Sequence, residues 1–196
     1  LQDLELQVWK TLLLTRTITI DLDKLDIDRS WQNFYNFTEI CENHISKVKE
    51  LFENFDLFIF TLGLTEMWIH KESGTVYPTA PGTLIGEYDK DQYEFKNAQF
   101  TDIINDFKLF QKVLKKIRGG KPFNCILTVS PVPLTATASG NHVLTSTIYS
   151  KSILRSVAGQ LSISEASIDY FPSYEIVTNP RIQPNSFSHN LRTVRD

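Results

Sequence analysis

The chain has 196 residues, 41% of them hydrophobic and 22% charged, with a formal net charge of -3. This is the composition of an ordinary globular protein, and the length predicts one domain over 1–196 with a single core. The acidic balance argues against nucleic acid as a partner, because phosphate binding needs a concentrated basic surface. No apolar stretch reaches the roughly 20 residues of a membrane span.

In chain order, Leu1, Leu4, Val8 and Leu12 fall at helical spacing, and residues 17–22 alternate like a half-buried strand. Asp21, Asp23, Asp26 and Asp28 lack the central Gly and closing Glu of a calcium loop, so they predict a solvated loop. Asn36 with Glu39 resembles a capping box, and Cys41, Ile45, Val48, Phe52 and Phe55 then draw one apolar helix face bordered by His44. Residues 56–61 read as a strand buried on both faces. They run straight into a polar turn with Gly63, Thr65 and Glu66.

Residues 72–99 form an irregular excursion of a length usually found in lids and binding loops. Its aromatics Tyr77, Tyr88, Tyr93 and Phe95 predict that it is ordered. Thr101 is a candidate cap for a helix with the stripe Ile103, Phe107, Phe110, Leu114 and Ile117, ended by Gly119 and Gly120. The basic run Lys112, Lys115, Lys116, Arg118 and Lys121 reads as its solvated C-terminal face. A second buried strand covers 123–129, and a Ser/Pro/Thr loop follows. A third helix is predicted over 143–161, with Ile153, Val157 and Leu161 inward, and a short strand over 167–171. Helices alternating with strands imply right-handed crossovers and a mostly parallel sheet in an α/β fold.

In such sheets ligands bind outside the carboxyl ends of the strands, where the chain turns. That places Gly63, Thr65 and Glu66 on one loop, and Ser130, Asn141, His142 and Tyr149 on or near the other. Gly63 lets a ligand approach the backbone. Thr65 and Glu66 offer hydrogen bonds to a ligand; alternatively Thr65 caps a short helix through Glu66, Met67 and Trp68, whose N-terminus would favour an anion. His142, just ahead of a helix, is a candidate general base or ligand donor. Ser130 lacks the elbow motif of an exposed nucleophile and reads as a loop or ligand hydrogen-bonding group. Cys41 and Cys125 are far apart in apolar settings and make no metal motif, which fits a reducing, cytoplasmic compartment. No histidine pair has metal spacing and no Gly-rich phosphate loop is present, so neither a metal nor a cofactor is expected.

At TLGLTEMW, TVYPTAPG, LTVSPVPLTAT, YSKSILR and DYFPSYEIVT the chain resembles the GSCFA family of bacterial proteins, over roughly residues 50–180. That family is named for an N-terminal Gly-Ser-Cys-Phe-Ala motif and is placed near the SGNH/GDSL hydrolases. The resemblance implies a flavodoxin-like three-layer α/β/α fold and ester hydrolysis or acyl transfer on a carbohydrate or lipid ester. It also implies an oxyanion role for Gly63 and Thr65, the latter standing where the family of hydrolases carries Asn. His142, or His189 as second choice, would be the base, with Glu66, Ser130, Asn141 and Tyr149 toward substrate. The naming motif is absent, and Asn190 to Thr193 stands where a catalytic Asp-x-x-His is expected without supplying either residue. Since the chain opens at Leu1, the expectation is an incomplete domain whose nucleophile lies upstream. The alternative is a non-catalytic module that binds a glycan or acyl ligand.

Overall fold

The computed structural model describes residues 46–77, 79–83, 87–181, 186–190 and 192–195. The readings made for residues 1–45 lie outside these: the first helix and strand, the acidic loop, the capping box, Cys41 and His44. A helix α1 (46–54) leads into strand β1 (Leu57–Leu62). Then come β2 (Glu66–His70), β3 (Val76–Tyr77), β4 (Tyr93–Asn97), helix α2 (Phe100–Ile117), β5 (Asn124–Val129), helix α3 (Val143–Ser164), β6 (Ile168–Tyr170) and the short helix α4 (Ser173–Thr178).

β1, β5 and β6 form a parallel sheet in that order, so the chain steps across the sheet in one direction. Register pairs Leu57 with Asn124 through Leu62 with Val129, and Cys125 with Ile168 through Leu127 with Tyr170. Strand alternation therefore puts Phe58, Phe60 and Leu62 on the same face as Cys125, Leu127 and Val129. α2 and α3 cover that face. Phe110 lies 5.5 Å from the Phe58 ring and stacks on Phe60 at 5.9 Å, while Leu154, Val157 and Leu161 complete the core from α3. α4 flanks the other face, where Ser173 Oγ meets Thr128 Oγ1 and donates to Val129 O at 2.9 Å. The result is an α/β fold with a parallel sheet flanked by helices, as a three-layer architecture requires.

β1 is not buried on both faces among the described residues: Leu57 is 46% and Ile59 64% exposed. Both crossover helices lie on the Phe58 face, as right-handed connections demand when strands are added in one direction. β1 is also the edge of the described sheet.

Segment 66–70 corrects a second expectation. It is not a capped helix but the middle strand of an antiparallel sheet, ordered β3-β2-β4. Its β-favouring Trp68 and Ile69 sit in a segment whose backbone is paired on both sides, to β3 and to β4. The excursion after it thus holds two strands. Its described residues are tied together by edge contacts of Trp68 with Tyr88 and Phe95, and of Tyr77 with Tyr93.

The cap of α2 is Gln99 rather than Thr101, with the Gln99 N–H donating to Asp102 Oδ2 at 3.0 Å. Its inward stripe is the expected one, with Val113 added, and Gly119 and Gly120 leave the helix at positive φ (62° and 87°). Arg118 departs from the solvated basic face. It is only 8% exposed, donates to Phe52 O at 3.0 Å and lies 4.1 Å over the Phe55 ring, fastening α1 to the end of α2. Cys125 is a buried free thiol, and burial, with Glu165 adding, pushes its pKa up to about 12. It is a core residue.

Candidate functional site

The site starts where β1 stops. The last backbone bond of the β1–β5 pair runs from the Ser130 N–H to Leu62 O at 2.9 Å. Beyond it the N–H groups of Gly63 and Leu64 make no hydrogen bond among the described residues, and both residues are half-buried. The loop is nevertheless held firmly. Lys151 Nζ donates to Gly63 O at 2.8 Å. Thr65, with no exposed surface, has every polar group committed. Its N–H donates to Ser150 Oγ at 2.9 Å, its hydroxyl to Asn97 Oδ1 at 2.6 Å, and its carbonyl accepts from the Ala98 N–H at 2.8 Å. Thr65 anchors the loop, and Gly63 and Leu64 carry its open donors.

A hydroxyl chain joins this loop to the one after β5. Thr137 Oγ1 donates to Glu66 Oε1 at 2.7 Å and contacts Ser139 Oγ at 2.8 Å, and Ser139 Oγ meets Ser146 Oγ at 2.9 Å. The two strand-end loops therefore share one face, and Glu66 is oriented by the second of them.

The inward stripe of α3 explains the arrangement. Its C-terminal half buries Leu154, Val157, Ala158 and Leu161 against the sheet. Its N-terminal half buries Ser146, Ser150 and Lys151 on the same stripe. The stripe turns polar where the helix passes the ends of the strands: Ser150 and Lys151 meet the backbone of the β1 loop, and Ser146 meets Ser139 in the loop after β5. Buried polar groups are tolerated when hydrogen-bonded.

His142 is the N-cap of α3 and exposed. Its Nδ1 accepts from the Leu144 N–H at 3.3 Å, and its carbonyl accepts from the Ser146 N–H at 3.1 Å. An accepting Nδ1 leaves the neutral ring's proton on Nε2, which makes Nε2 a donor; to serve as a base His142 must release the cap. Asn141, also exposed, donates its N–H to Ser139 Oγ at 3.4 Å, so both residues stand at the rim of the hydroxyl chain. Ser130 Oγ accepts from the Val132 N–H at 3.2 Å and stiffens its own loop. Tyr149 is exposed on α3, and His189 lies in the C-terminal turn closed by the Phe187–Val194 bridge. No hydrogen bond joins either to the Gly63 loop.

Of the residues the sequence singles out, Gly63, Thr65 and Glu66 lie together at the end of β1, and the residues that hold them, Asn97, Thr137, Ser146, Ser150 and Lys151, are ones the sequence reading does not name. A signal existed for Lys151. It stands three residues before Leu154 and seven before Ala158, on the inward face of its own helix.

A second polar network lies at the carboxyl end of β6, on the opposite edge of the sheet from β1. Glu175 accepts from Arg155 Nε at 2.5 Å and from the Tyr170 hydroxyl at 2.7 Å, and the Arg155 guanidinium lies 4.0 Å over the Tyr170 ring. Burial and then the hydrogen bond to Glu175 push the Tyr170 phenol well above its usual range. For Glu175 burial acts upward, but the hydrogen bonds from Tyr170 and Arg155 outweigh it and hold the carboxyl below its ordinary value. Among the described residues no three His, Cys, Asp or Glu side chains are placed to hold a metal ion.

The sequence model of the GSCFA family matches residues 7–196, nearly the whole chain. The chain belongs to the GSCFA family. No curated protein and no solved structure matches it. In this GSCFA chain no helix among the described residues is long and apolar enough to cross a membrane. At the end of β1 the N–H groups of Gly63 and Leu64 have no partner among the described residues, on a loop held by Lys151 and Ser150 of α3 and by Asn97 of β4.

Proposed function

We propose that this GSCFA domain is SGNH-like and supplies the oxyanion side of a serine esterase or acyltransferase site for a small-molecule, glycan or lipid ester. One observation carries the reading. Among the described residues the N–H groups of Gly63 and Leu64 make no hydrogen bond, and they stand at the carboxyl end of a parallel strand, on a loop braced by Lys151, Ser150 and Asn97. Preorganised donors of this kind cost no reorganisation when charge develops, and losing one lowers kcat by about 10²- to 10³-fold. Thr65 fixes the loop, and Glu66 binds substrate hydroxyls. A histidine assists the serine: His142 once its cap is released, or His189 in second place. Residues 1–196 contain no Gly-Ser-Cys-Phe-Ala run. By themselves these residues are expected to leave short-chain aryl esters unhydrolysed. The test is treatment of the full-length protein with a serine-directed fluorophosphonate, followed by peptide mapping. A single modified serine supports the reading; an unmodified protein, beside a serine esterase labelled in parallel, contradicts it.

A non-catalytic glycan- or acyl-binding module is favoured by a separate observation. The small sheet beside the site presents Trp68, Tyr77, Tyr88, Tyr93 and Phe95 in mutual edge contacts, with Tyr77 and Tyr88 exposed. Aromatic faces of this kind bind the apolar faces of sugars and acyl chains. Ligand binding without fluorophosphonate labelling would select this second reading.

A further inference from the structure

Lys151 is 1% exposed, among the most buried large side chains of the described fold. A buried amino group is costly unless hydrogen-bonded. Nζ reaches Gly63 O at 2.8 Å across 88 residues of sequence. The carbonyl it holds belongs to the same peptide unit as the Leu64 N–H. That unit is planar, and no cis peptide bond occurs among the described residues, so its C=O and N–H point in opposite directions. Fixing Gly63 O toward α3 therefore turns the Leu64 N–H away from α3.

Gly63 lacks the Cβ that would restrict its ψ, so hydrogen bonds rather than side-chain sterics set the tilt of this peptide. On its far side Thr65 is locked through Ser150, Asn97 and Ala98, so the peptide is clamped at both ends. Without the clamp at Gly63 O, rotation of the peptide would swing an acceptor toward the space a donor should face. An acceptor there repels developing negative charge instead of stabilising it.

We propose that Lys151 is a positioning residue, which clamps the Gly63–Leu64 peptide so that the Leu64 N–H faces the ester oxygen that gains negative charge. The identity of that oxygen rests on the esterase or acyltransferase reading; the orientation of the peptide does not. Lys151→Met keeps most of the buried stem and removes the donor, whereas Lys151→Arg keeps a donor.

The experiment uses the full-length protein with ¹⁵N- and ¹³C-labelled backbone and a fluorophosphonate as probe. In Lys151→Met the Gly63 carbonyl and Leu64 amide resonances are expected to move while those of β5 and the C-terminal half of α3 stay in place. Its phosphonylation is expected to slow by about 10- to 100-fold, the scale of a misplaced oxyanion donor. Lys151→Arg returns both readouts most of the way. In the wild-type protein, which needs no variant to fold, the Leu64 amide proton moves downfield on phosphonylation. Unchanged Gly63 and Leu64 resonances in a folded Lys151→Met, or a Leu64 amide proton that does not move in a phosphonylated wild type, overturn the inference alone. A wild type that is never phosphonylated overturns the functional reading beneath it.

Discussion

Lys151 and Arg155 stand one turn apart on α3, and each ties the helix to the chain beyond a strand, but in opposite surroundings. Lys151 is buried and grips a backbone carbonyl of the β1 loop. The Arg155 and Glu175 side chains are 42% and 41% exposed, and their ion pair holds α4 beyond β6. Water screens the second contact and replaces it readily when broken, whereas nothing replaces the first. At the carboxyl end of the sheet, the β1 edge is therefore the more firmly held and the ion pair at the β6 edge the more adjustable. The proposed oxyanion role needs donors that do not reorganise as charge develops, which the firmly held edge supplies.

The comparison can be broken most forcefully at Lys151. Lys151→Ala is expected to cost about 2–4 kcal/mol, because it leaves a cavity and strands the Gly63 carbonyl without its donor. Urea unfolding measures it, and a loss no larger than that at Arg155 would erase the distinction. Ser150→Ala strands the buried Thr65 N–H and is expected to cost about 1–3 kcal/mol by the same measurement. His142→Ala removes an exposed cap and is expected to cost about 0.5–1 kcal/mol. If esterase activity of the full-length protein survives that change, His142 is only a cap.

The smallest effect lies at the β6 edge. Glu175→Gln weakens an exposed ion pair and is expected to cost under about 1 kcal/mol, less still in high salt. Its sign with pH is fixed. The Glu175 carboxyl is held below its ordinary 4.5 in the folded state, so its contribution is present above that value. It is lost as pH falls through the lowered folded value. Wild type and Glu175→Gln should therefore converge in stability in acid, and a gap that widens there would contradict the network.

How much of this the sequence shows depends on where each signal is written. The stripes of α2 and α3 and the strands at 57–62 and 124–129 are local periodicities, and they were legible. So was the position of Gly63, because an apolar run giving out in a Gly-containing polar turn marks a strand end. Glu66, Met67 and Trp68 read equally as a short helix, because a capping Thr stands ahead of them. Only pairing with β3 and β4, the latter more than twenty residues on, settles them as strand. Lys151 and Ser150 were missed for a related reason. A polar residue inside an apolar stripe looks like a solvated neighbour until the fold shows which backbone group it meets. Arg118 is the same case at the opposite end of the sheet.

The most direct test is a crystal structure of the full-length protein after fluorophosphonate treatment. The account predicts a phosphonylated serine whose phosphoryl oxygen lies about 2.7–3.1 Å from the Gly63 or Leu64 nitrogen, with Lys151 still on Gly63 O. An adduct whose oxygen is held elsewhere, with both N–H groups facing only solvent, would contradict it.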